Sequence, residues 1–114
     1  MAASPGNTQY EPLPPALLSV IANYIRRFEP ERVVIFGSAV IKGLSAKDID
    51  LLVVSKAFQG VLRQRRAERL DLPKQCRFDL FLFTPREFKD LIRIKWPLIP
   101  KIEAKSIDLR WYYD

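Results

Sequence analysis

Three aspartates stand where aspartate is disfavoured. Asp48 and Asp50 open an otherwise apolar run, Asp-Ile-Asp-Leu-Leu-Val-Val, and Asp79 interrupts another, Phe-Asp-Leu-Phe-Leu-Phe. Both runs are strand-like, and strands are depleted in aspartate. Spacing of i and i+2 puts Asp48 and Asp50 on one face of a strand, roughly 7 Å apart. If the strand bearing Asp79 is the neighbour, at about 5 Å, three carboxylates converge. At ~6 Å and an effective dielectric near 20, each like-charge pair costs ~3 kcal/mol. Protonation of one acid, pairing with arginine, or a hard divalent cation would relieve that cost. Magnesium takes one or two carboxylates plus substrate phosphates, and carboxylates that bridge two ions make a two-metal site.

Gly37-Ser38 is a second feature. It follows the apolar run Val33-Val34-Ile35-Phe36 directly and precedes a short helical stretch. Glycine permits a tight turn and close backbone approach. Serine offers a hydroxyl and a backbone N–H at a helix start, where phosphate binds well. A plain turn with Ser38 as helix cap is the simpler alternative for that pair alone.

The elements that must position these residues follow from periodicity and punctuation. Pro14-Pro15 starts a helix whose apolar residues are Leu17, Leu18, Ile21, Ile25 and Phe28, stopped by Pro30. Strands are expected at Val33–Phe36, Ile49–Val54 and Phe78–Phe83. A short helix closed by Gly43 lies between the first two, and a basic helix over about 60–71 between the second and third. In the second strand Ile49, Leu51 and Val53 share one face, and Asp50, Leu52 and Val54 the other. Thr84-Pro85-Arg86-Glu87 matches a capping box. It opens a helix striped by Phe88, Leu91, Ile92 and Trp96 and broken by Pro97 and Pro100. Ile107–Trp111 alternates and predicts a final short strand. The sum is an α/β (α+β) domain with a small mixed sheet of three to four strands and helices packed on it. Residues 1–12 read as a flexible lead-in and 13–114 as one domain.

Composition narrows the chemistry. The chain has 114 residues, a formal net charge of +6, no histidine and one cysteine, Cys76. Catalytic triads, histidine bases and the usual zinc sites are thereby excluded. With a single cysteine no intramolecular disulfide forms, which fits a reducing cytoplasm. No apolar run reaches the ~20 residues that cross a bilayer, and the first residues lack the pattern of a secretory signal. The positive balance favours acidic or polyanionic partners. Arg63, Arg65, Arg66 and Arg69 read as a solvated helix face. Trp96, Trp111, Tyr112 and Tyr113 suit core packing or a protein interface better than base stacking.

With Val-Val-Ile-Phe-Gly-Ser, then Asp-Ile-Asp-Leu, then Phe-Asp-Leu, each on its expected element, the chain resembles the DNA polymerase β-like nucleotidyltransferase superfamily. More narrowly it is similar to minimal nucleotidyltransferases, from about Leu13 to the C-terminus. The resemblance implies that Asp48, Asp50 and Asp79 are catalytic and hold two magnesium ions. It implies that Gly37 and Ser38 contact the phosphates of a nucleoside triphosphate, most simply ATP. Minimal members often carry Gly-Ser-x-Ala-Arg-Gly here; this chain has Gly37-Ser38-Ala39-Val40-Ile41-Lys42-Gly43, with Lys42 as stand-in for the arginine. The implied activity is transfer of AMP to a hydroxyl acceptor. That acceptor would be a tyrosine of a helical HEPN-type partner in a toxin–antitoxin pair; a homodimer is a further expectation, and nucleic acid is not an expected partner. The alternative is a non-catalytic, antitoxin-like module that neutralises its partner by contact.

Overall fold

The computed structural model describes residues 12–114. The expected lead-in over 1–12 therefore lies, apart from Pro12, outside the described residues. Among the described residues, the chain folds as a four-stranded mixed sheet with five α-helices packed against it. The strands are β1 (Arg32–Phe36), β2 (Ile49–Val54), β3 (Phe78–Phe83) and β4 (Ser106–Asp108), in the order β3-β2-β1-β4. β1 pairs antiparallel with β2 and β4, whereas β2 and β3 run parallel. A parallel neighbour demands a long crossover, and residues 55–77 supply it.

β1 and β2 are central and covered on both faces, so they read as nearly continuous apolar runs. On one face Val33, Ile35, Ile49, Leu51, Val53 and Leu82 join Leu18, Ile21, Ala22 and Ile25 of α1 (Pro15–Ile25). On the other, Val34, Phe36, Leu52, Val54 and Phe83 meet α4 (Pro85–Arg93) and α5 (Ile99–Ala104) through Phe88 and Ile102. Phe81 and Trp96 pack against this second cluster, their ring centroids 5.9 Å apart. The period-two division of β2 holds, and it places Asp50 on the second face, beside Leu52. α2 (Ser38–Lys42) is a single short turn after β1, capped by Gly37 and ended by Gly43.

Four expectations need correction. The basic helix shrinks to α3 (Arg63–Arg66) followed by a 3-10 turn to Arg69, and Arg66 is buried rather than solvated. Its guanidinium forks onto Glu87 at 2.6 and 3.1 Å and donates to the Leu82 and Val61 carbonyls, each at 2.9 Å. The stripe of α4 includes Phe88 and Leu91, but Ile92 is exposed, one residue before the helix ends at Arg93. α4 does end before Pro97, as expected, but Pro100 also opens a further, unexpected helix: it sits in the first turn of α5, where its missing N–H costs nothing. The last strand stops at Asp108, whose carboxylate accepts from the Arg110 N–H and turns the chain into a 3-10 helix (Leu109–Tyr112), leaving Trp111 85 % exposed.

Candidate metal and phosphate site

The parallel register of β2 and β3 aligns Asp50 directly with Asp79. Aligned residues of neighbouring strands share a face at about 5 Å, so both carboxylates stand on the face that α4 and α5 cover further along. Antiparallel pairing sets Asp50 opposite Phe36, the last residue of β1. The chain turns at Gly37 immediately afterwards, which brings this turn against the acid.

Gly37 has φ 77° and ψ −155°, a conformation open essentially to glycine alone. A Cβ at this position would land on Asp50 Oδ2. Both the backbone angle and the approach of the carboxylate therefore demand the missing side chain. Ser38 is not the cap, since Gly37 occupies that position without a side-chain bond. The Ser38 hydroxyl begins α2 exposed, with no hydrogen-bond partner among the described residues.

Asp48 lies just before β2, partly exposed, with the Arg77 Nε 3.5 Å from its Oδ1. Both side chains are well hydrated, so this pair contributes little. Asp79 is exposed. Asp50 is less so, and burial raises its pKa above the ordinary carboxylate range; the Asp79 and then the Asp48 charges push it the same way. The electrostatics thus couple all three acids around Asp50. Among the described residues, no three acidic or cysteine side chains close into a ready-made metal cage; the acids are arranged openly along the end of the β2–β3 ladder.

One cation opposes the repulsion. The Lys101 ammonium lowers the Asp50 pKa against the other influences. Lys101 is exposed and precedes Ile102, which anchors α5 on the acid-bearing face. Sequence reasoning missed it because α5 was missed; Leu98, Ile99 and Ile102, at helical spacing around a first-turn proline, were the available signal. Lys42 ends α2, exposed and without an ion pair among the described residues. The single cysteine, Cys76, is half-buried against the first apolar cluster, as a boundary residue.

The arrangement offers oxygen donors of negative charge, a turn that tolerates close approach, a free hydroxyl and a nearby ammonium. These are parts suited to holding a hard cation and a phosphate chain. No protein-family model, curated protein or solved structure matches this chain, so the site is read from its own geometry.

Proposed function

We propose that the protein is a magnesium-dependent nucleotidyltransferase that moves AMP from ATP to a hydroxyl acceptor. The observation that carries this reading is the direct alignment of Asp50 with Asp79 on parallel strands, beside the glycine turn at the end of β1. The motif resemblance to polymerase β-like nucleotidyltransferases supports the same reading.

The donor set fits magnesium. It consists of carboxylates without histidine or thiolate, and Asp50 carries an electrostatic burden that a cation would lift. Magnesium needs no protein cage, because it keeps several waters and takes one or two carboxylates with substrate phosphates. Asp48, Asp50 and Asp79 would hold it; when bound, it neutralises triphosphate charge and polarises the reacting phosphorus. The chain's own groups do the rest. Gly37 keeps the Asp50 carboxylate free of a clashing Cβ, Ser38 offers a hydroxyl and an N–H to phosphate oxygens, and Lys101 supplies positive charge from α5, which covers the same face of the sheet. Lys42 is the further phosphate contact that the resemblance implies.

In the reaction the acceptor oxygen forms a bond to the α-phosphorus and the bond to the bridging oxygen of pyrophosphate breaks. The acceptor's proton passes to a carboxylate, for which Asp79, the most exposed of the three, is suited. A tyrosine of a HEPN-type partner protein is the acceptor that the family resemblance favours, with a cytoplasmic setting. The partner-binding alternative, without catalysis, draws on Trp111, whose indole is exposed at the C-terminal turn.

Incubation with ATP labelled at the α-phosphate, magnesium and a tyrosine-bearing acceptor protein tests the reading. Label on the acceptor, lost in Asp48→Asn/Asp50→Asn, supports it. Labelling of the acceptor by γ-labelled ATP and not by α-labelled ATP would exclude nucleotidyl transfer. Neutralisation of a partner by the double variant, with no label transferred by wild type, would favour the contact-only alternative.

A further inference from the structure

A basic groove lies at the other end of the sheet. β1 and β2 pair from Phe36–Asp50 at the acidic end to Arg32–Val54 at this one, about 13 Å along the strands. The groove encloses about 500 Å³ and is open to solvent. Four cations line it: Arg32 from β1, Lys56 just after β2, and Arg86 and Lys89 from the first turns of α4. Among the described residues, Glu31 is the one acid on its walls.

These cations differ from the protein's other basic stretch. Arg63 and Arg66 are paired with Glu87, and Arg65 with Glu68. Among the described residues, none of Arg32, Lys56, Arg86 or Lys89 is in an ion pair. Arg32 does spend part of its field on Asp108, whose pKa it helps to lower behind the larger effect of Arg110. Four cations without an ion pair among the described residues therefore gather around one concave surface. The floor of that surface is Val54 and Phe88, 2 % and 6 % exposed. It offers neither a ring for base stacking nor an apolar anchor of the kind that protein interfaces are built on. Long flexible cations over a closed floor suit contact with phosphates, which positions a ligand without reading its sequence.

We infer that this groove binds the phosphodiester backbone of nucleic acid, without sequence preference. Binding is electrostatic and separate from the carboxylate site. The test uses the full chain and fluorescently labelled oligothymidine and oligouridine of about 12 nucleotides. Fluorescence anisotropy at about 50 mM salt gives dissociation constants in the micromolar range for both, and the log–log salt slope is about −3 for four phosphate contacts. Lys56→Glu/Lys89→Glu weakens binding by at least about tenfold and flattens the slope; Lys56→Gln/Lys89→Gln has the same effect with a smaller loss. Arg65→Glu, which reverses an exposed charge elsewhere, leaves affinity within about twofold. Circular dichroism confirms that each variant is folded. Undetectable oligonucleotide binding, equal losses in the Arg65 and lysine variants, or competition by polyglutamate as strong as by oligonucleotide would each overturn the inference.

Discussion

The Arg66–Glu87 pair is a stability switch that opens in acid. Arg66 is only 5 % exposed and Glu87 26 %. The Arg66 fork holds the Glu87 carboxyl well below its usual 4.5, at about 2, against a smaller opposing effect of burial and with further help from the Thr84 N–H. A tenfold change in proton affinity is worth about 1.4 kcal/mol, so this depression corresponds to about 3 kcal/mol. The sign follows from the direction. The folded value lies below the unfolded one, so the stabilisation is complete above about 4.5 and is lost as pH falls toward 2. More than half is gone by about pH 3. Glu87→Gln keeps shape and capping capacity but removes the charge, leaving the buried guanidinium to the Val61 and Leu82 carbonyls. Urea unfolding, followed by fluorescence of Trp96 against Phe81 and Phe83, is expected to show a loss of about 2–3 kcal/mol at pH 7. The gap between wild type and variant shrinks progressively below pH 4.5. A loss under about 0.5 kcal/mol, or a gap that stays constant from pH 7 to pH 3, would refute the reasoning.

Three further outcomes are expected at the acidic site. Gly37→Ala forces a Cβ onto the Asp50 carboxylate at a glycine-only backbone angle. It costs about 1–3 kcal/mol in urea unfolding, part of which Asp50→Ala restores in a double-mutant cycle; strictly additive losses would mean that the collision is not the cause. Asp50→Asn raises the melting temperature at pH 7 without metal, because a carboxyl whose pKa is raised by folding opposes folding when ionised; an unchanged or lowered value on calorimetry contradicts this. Lys101→Met moves the Asp50 pKa further upward in a carbon-13 carboxyl titration, and no movement would remove Lys101 from the site.

How much of this was readable in the residues depends on the range of the interaction. The strand alternation fixed the faces of β2 and the two sides of the core, because a period of two needs no partner to be recognised. The capping box at Thr84 was equally local, and both of its bonds form, at 2.8 and 3.2 Å. The alignment of Asp50 with Asp79 required only that two apolar strands be neighbours. By contrast, Arg66 looked like one solvated arginine among four, and its burial is decided by Glu87, 21 residues away. Lys101 depended on a helix whose opening proline looked like a breaker. The demand for glycine at position 37 was foreseen as turn geometry, but its steric reason, the Asp50 oxygen, is a tertiary fact.

The proposed activity stands or falls on whether the three carboxylates, magnesium and nucleotide bind together. Equilibrium titration of a non-hydrolysable ATP analogue, with and without magnesium, measures this in wild type, Asp50→Asn and Asp79→Asn. Wild-type affinity is expected to depend on magnesium and to fall by at least about tenfold, about 1.4 kcal/mol, in each variant. Binding that ignores magnesium, or that survives unchanged in both variants, would contradict the proposal.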